Sequence, residues 1–290
     1  MTIRTLMGAC ALLPLFVGHA AAQDEPADNM FGEFEISANV AWTTDYRWRG
    51  ISFSDGDFAV QGGFDAAHPS GFYVGTWASS IENYGGTFDT QVIDVLTDDG
   101  EPSTTVVPTF LSGAETELDL YGGFAGEANG IGYDVGVIWY TYPGSDIDTD
   151  YAEVYGSVSF ASGPGSLTGG AAYIWDQDNT AFGDDSGQID NFYVFGDYST
   201  PLGESGVTLD AHLGYTDGVF TADGTQFDWL VGLSYDLAGL TFQAAYVATD
   251  ADTDVDVEDG VFSRAVQEDL EDAVEDILGH TAIFTVSKSF

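Results

Sequence analysis

The chain has 290 residues, with 5 Lys and Arg against 48 Asp and Glu, for a formal net charge of −43. That balance excludes a binder of the phosphate backbone, which needs a basic footprint, so no nucleic acid is expected as a partner. Aromatic residues at 14% and 37 glycines argue against a disordered acidic coil and for many short strands joined by tight turns.

The first 22 residues read as a secretory signal. Arg4 gives a basic start, Leu6 to Val17 is apolar, and Ala20-Ala21-Ala22 offers a cleavage site before Gln23. The stretch is too short to cross a bilayer as a helix. Cys10 lies inside it, so the mature chain is expected to hold no cysteine and no disulfide. Residues 23–32 read as a polar linker and residues 33–290 as a single domain.

From there segments of about ten residues alternate apolar and polar positions, the signature of strands with two unlike faces. Twelve are expected: 33–45, 58–67, 72–80, 115–126, 130–142, 150–161, 165–176, 189–199, 205–216, 226–236, 239–249 and 280–290. In the first, Phe34, Ile36, Ala38, Val40 and Trp42 share one face and Glu35, Ser37, Asn39, Ala41 and Thr43 the other. In the tenth, Phe227, Trp229, Val231, Leu233 and Tyr235 oppose Asp228, Gly232 and Ser234. Short turns such as Ala67-His68-Pro69-Ser70-Gly71 and Ser162-Gly163-Pro164 alternate with longer acidic links at 46–57, 81–114, 143–149, 177–188, 217–225 and 250–279.

An even strand number with short turns at one end and long loops at the other is the plan of an outer-membrane barrel. The expected fold is therefore all-β: a 12-stranded antiparallel transmembrane up-and-down β-barrel with one short helix in the last long loop. Closure explains why the chain ends mid-strand on Phe290, since the last strand would pair with the first and leave no open edge. The helix is expected over Ser263 to Leu278, with Val266, Leu270, Ala273, Val274, Ile277 and Leu278 on one face and Ser263 as N-cap. It reads as a partial plug or as a lid over the loop end.

The stretch "DYRWRGISFSDGDFAVQGGFDAAHPSGFYVGTWASS" (Asp45 to Ser80) resembles the signature of the TorF-type porin family. The resemblance continues in "ELDLYGGF" (Glu117 to Phe124), "YDVGVIWYTYPG" (Tyr133 to Gly144) and "YAEVYGSVSF" (Tyr151 to Phe160), covering about the first half of the mature chain. Phe58 stands where the pattern has Pro, and Trp48 where Phe is usual. The resemblance implies a bacterial outer-membrane barrel whose terminal Phe290 is read by the barrel assembly machinery, with membrane lipid and lipopolysaccharide as surroundings.

The polar parity supplies candidate lumen residues: Glu35, Asp65, Glu117, Asp119, Asp134, Glu153, Asp197, Asp210, His212 and Asp228. Arg47 and Arg49 continue the inward parity past the first strand, and Tyr46 and Trp48 the outward one, where an interface belt would hold them. The arginines read either as a constriction facing acids or as salt-bridged scaffolding at the loop end. Rings of Asp and Glu favour cations by focusing the field in a narrow channel.

The loop "DADTDVDVEDG" places Asp250, Asp252, Asp254 and Asp256 two apart. It fails the EF-hand pattern, with Val255 where Gly is needed and Val261 where Glu is needed, leaving loose divalent-cation binding or a solvated acidic loop. No other cofactor is expected. His212 shares a face with Asp210, but no nucleophile motif accompanies them, so no catalysis is expected. The functional expectation is a porin passing small hydrophilic solutes through an acidic lumen, favouring cations or neutral species. The alternatives are a non-conducting structural or adhesive barrel and a secreted acidic soluble β-protein.

Overall fold

The computed structural model describes residues 34–96, 102–177, 190–221, 224–251 and 274–290. The expected signal, the linker, most of the 263–278 helix and Asp252, Asp254 and Asp256 lie outside the described residues.

Twelve strands close into one antiparallel barrel: β1 (Glu35–Thr43), β4 (Ala59–Ala67), β5 (Phe72–Tyr84), β8 (Ala114–Ala128), β9 (Ile131–Thr141), β10 (Tyr151–Ser162), β11 (Gly165–Ile174), β12 (Asn191–Pro201), β13 (Val207–Gly218), β14 (Thr225–Leu237), β15 (Leu240–Thr249) and β16 (Thr281–Ser289). Each strand pairs with its neighbours in this order, and β16 pairs back to β1 from Asn39↔Ser289 to Thr43↔Thr285. Ala38 and Phe290 exchange backbone hydrogen bonds at 3.3 and 2.9 Å, so the last residue is paired too. All twelve expected strands are present. The link expected at 81–114 is more structured than its sequence suggested: β5 runs on to Tyr84, and β6 (Thr87–Leu96) pairs with β7 (Pro102–Leu111) as a separate hairpin. A second small hairpin joins β2 (Arg47–Trp48) to β3 (Ile51–Ser52).

Period-two alternation becomes an inside and an outside. Phe64 is 64% exposed and Trp139 54%, with Val74, Leu120, Val137, Val154 and Val231 also facing outward from strands around the barrel. Polar side chains on the opposite parity face in. The wall also holds inward aromatics, and glycine on the neighbouring strand makes room for them. Tyr121 lies across Gly75, where a Cβ would come within 2.5 Å of the ring. Tyr155 covers Gly136 and Phe195 covers Gly170 in the same way. Each ring shields a backbone that would otherwise be bare, a device that also pins the register.

The exposure of the inward residues differs between the two ends. At the short-turn end Glu35 is exposed and Asp65, Tyr73 and Tyr121 are half-buried. At the long-loop end Glu117, Asp119, Glu153 and Asn191 are 0% exposed, although they point into the barrel. Something fills the lumen there.

Candidate functional site in the barrel lumen

The filling is the chain's own β1–β4 connection, residues 44–58, of which 44–54 enter the lumen and 55–58 stay exposed. Instead of continuing β1 upward, it folds into the barrel. Asp45 organises it: Ser52 Oγ donates to Asp45 Oδ1 at 2.6 Å, Ser54 Oγ to the same oxygen at 3.2 Å, and Arg47 Nε to Oδ2 at 2.6 Å. The Tyr46 amide donates to Ser54 Oγ at 2.9 Å, and the Phe53 amide to the Tyr46 carbonyl at 2.8 Å. The β2–β3 hairpin turns at Arg49 and Gly50, whose φ values of 50° and 83° are the paired positive angles of a two-residue hairpin turn. A Cβ on Gly50 would strike Thr249 Cγ2 and come within 3.0 Å of Asp228 Cβ. The hairpin tip thus reaches the β14–β15 wall.

Along its path the hairpin fills the lumen with aromatic rings. Tyr46 packs edge-on against Trp77 at 5.4 Å between centroids and against Phe53 at 5.7 Å. Trp48 packs on Tyr140 at 6.2 Å and on Phe220 at 5.5 Å, while Phe53 meets Tyr84 at 5.0 Å. Tyr46 and Trp48 are therefore not belt residues on the outer parity, as the sequence suggested. Strand β1 ends at Thr43, and beyond it the alternation of Asp45 to Arg49 no longer reports the faces of a wall strand.

Polar contacts tie the plug to the wall. Tyr46 OH donates to Glu117 Oε1 at 2.6 Å. Burial, with Glu117 and Asp119 beside it, holds the Tyr46 phenol well above its ordinary range, so it stays a donor. Arg49 Nη2 pairs with Glu153, which also accepts from Tyr140 OH at 2.9 Å. The Arg49 guanidinium lies between two rings, 4.1 Å from the centroids of Trp48 and of Tyr193. Its backbone carbonyl accepts from Gln226 Nε2 at 3.1 Å. Arg49 thus faces acid inside the lumen, whereas Arg47 is scaffolding. Arg47 donates to the carbonyls of Asp276 at 2.8 Å, Ile277 at 3.2 Å and Gly279 at 2.6 Å, at the C-terminal end of the helical turn 274–278. A cation there satisfies carbonyls that the helix leaves unpaired.

The remaining predicted lumen residues form separate polar sets. His212 Nδ1 contacts Asp197 Oδ1 at 2.6 Å, and its Nε2 contacts Asp228 Oδ1 at 3.0 Å and Tyr193 OH at 2.8 Å. Asp210, its neighbour on the strand, instead accepts from Ser199 at 2.7 Å and Ser234 at 3.0 Å. Asp65 accepts from Tyr121 OH at 2.5 Å, and Asp134 from Tyr73 OH at 2.6 Å. Glu35 stands exposed at the short-turn end. Asp250 Oδ1 accepts from the Phe227 amide at 2.6 Å and so closes the start of β14. Among the described residues no group of three or more His, Cys, Asp or Glu is placed to hold a metal ion.

Residues 27–290 match the family described as "Bacterial protein of unknown function (Gcw_chp)". The chain belongs to the Gcw_chp family. The match neither carries nor contradicts the TorF-type resemblance. The fold of this Gcw_chp protein is similar to several solved structures. The KdgM porin aligns at 7% identity and a TM-score of 0.48, over 88% of this chain and 98% of that one. The NanC porin aligns at 10% identity and a TM-score of 0.47, over 87% and 98%. An outer membrane channel from Pseudomonas putida F1 aligns at 12% identity and a TM-score of 0.47, over 92% and 100%. No curated protein matches the Gcw_chp chain.

The sequence missed the aromatic part of the site. Tyr140, Tyr151, Tyr193 and Phe195 share the inward parity with Glu153 and Asp197, so the strands already marked them as lumen residues. Apolar rings on a polar face were the available signal.

Proposed function

We propose that this protein is a bacterial outer-membrane channel for small hydrophilic solutes, closed at its long-loop end by residues 44–58. The observation that carries the reading is the inversion of the barrel: apolar side chains face out all round, and carboxylates face a filled interior. In water that exterior would be one continuous exposed apolar band, far beyond the patches soluble monomers carry. In a bilayer it is the lipid-facing belt, and the paired closure of β1 with β16 leaves no backbone edge unsatisfied in hydrocarbon. The short turns would then lie in the periplasm. The resemblance to TorF-type porins agrees with this.

The inward carboxylates, against Arg49 as the cation seated among them, favour cations or neutral solutes over anions once the path is open. Transport by diffusion needs no catalytic residue, and lumen His212 serves as a wall residue held between two carboxylates. Purified protein in planar bilayers under a potassium chloride gradient tests the reading. Discrete conductance steps with a reversal potential of cation-selective sign support it. Silent bilayers under every condition, or protein recovered soluble without detergent, would remove it.

A further inference from the structure

We propose that the lumen wall site now filled by Arg49 is a binding site for guanidinium-bearing solutes, with Arg49 as its tethered internal occupant. The proposal rests on the channel reading, and it assigns that channel a solute class.

The wall contributes the site and the plug contributes the occupant. Glu153 from β10 and Tyr193 from β12 hold the guanidinium by charge and by ring face. Glu117 and Asp119 from β8 share the inward parity, and Glu117 accepts from Tyr46 of the hairpin. Glu153 is the carboxylate paired to the Arg49 guanidinium, and Glu117 and Asp119 are fully buried in the same plugged end of the barrel.

The site is also undersatisfied. Both oxygens of Asp119 are buried with no hydrogen-bond partner among the described residues. On the other side, Nε and Nη1 of Arg49 are buried without partners. Buried polar groups are rarely left this way, and carboxylates least of all. Arg49 pairs with Glu153, and Asp119 keeps both oxygens unpaired while the hairpin is seated. A free solute with the same headgroup has no tether and can settle lower among the acids. A planar guanidinium suits the wall site better than an ammonium, because it stacks on Tyr193 and offers two parallel donors to a carboxylate. Entry of such a solute would displace Arg49, and with it the hairpin that closes the lumen.

Argininamide and lysinamide carry equal charge and differ in the headgroup, so they isolate the claim. In Arg49→Ala, folded in detergent, argininamide should bind about tenfold or more tightly than lysinamide by calorimetry, the margin a stacked and desolvated guanidinium supplies. The double variant Arg49→Ala with Glu153→Gln should lose that margin. Equal binding of the two probes to Arg49→Ala, or a margin that survives Glu153→Gln, overturns the site.

Should Arg49→Ala fail to fold, wild-type protein gives the same answer. Argininamide should make Trp48 more accessible to a fluorescence quencher than lysinamide does, and equal quenching overturns the proposal. Bilayer recordings keep the two claims apart. Conductance without probe discrimination sinks the guanidinium site and leaves the channel; probe discrimination in a protein that never conducts sinks the channel and leaves the site.

Discussion

Gly50 is where the plug is most sensitive to a single atom. It turns the hairpin at φ 83° and lies against Thr249 Cγ2 and Asp228 Cβ. In Gly50→Ala, the left-handed backbone costs about 1–2 kcal/mol. The added methyl meets a packed wall, which costs ~1–3 kcal/mol more. Together these disfavour the seated hairpin by about 2–5 kcal/mol, raising the ratio of withdrawn to seated hairpin roughly thirty-fold to a few thousand-fold. The barrel strands themselves are untouched, so heat-modifiable gel mobility should match wild type. Single-channel recording should show a higher open probability. Adding Thr249→Ala should recover the steric share and leave the backbone share. A folded Gly50→Ala protein with wild-type open probability would refute the reasoning that the tip seats on this wall.

Other outcomes follow from the same contacts. Tyr46→Phe removes the donor to Glu117 Oε1 and leaves that oxygen buried and unpaired, so the barrel should lose about 1–3 kcal/mol in urea unfolding. Arg47→Met cuts the bonds to the carbonyls of Asp276, Ile277 and Gly279, and proteolysis after residue 274 should accelerate while the barrel core stays protected. Asp55, in the loop beyond the hairpin, is raised above its ordinary carboxylate range, first by burial and then by Asp276, Asp57 and Asp45. A raised acid binds its proton more tightly in the seated form, so seating should be strongest at acid pH and weaken as pH rises past the ordinary carboxylate value of about 4. Asp55→Asn should flatten that dependence in open probability; an unchanged slope would discard Asp55 as its origin.

The barrel was legible because lipid and lumen impose opposite chemistries on successive residues. Val154 and Val158 against Glu153 and Tyr155 declare their faces without any long-range knowledge. Turn chemistry gave the alternation of short and long connections, and with it closure of β16 on β1. The plug was not legible. Asp45 to Arg49 alternates like a strand, and periodicity cannot tell a wall strand from a short hairpin folded into the lumen. What decided its path were contacts across 71 and 104 residues of sequence, Tyr46 to Glu117 and Arg49 to Glu153. The pairing of His212 with Asp197 and Asp228, rather than with Asp210 on its own strand, is likewise set by neighbouring strands. Strand register carries that information, and composition does not.

Replacing residues 46–56 with a short Gly-Ser linker tests most directly whether this loop closes the lumen. The twelve wall strands remain, so the variant should fold and insert as wild type does. Planar-bilayer recording should then show large, persistently open conductance steps where wild type shows small or rare ones. Identical conductance in the two proteins, or silence in both, would contradict the account.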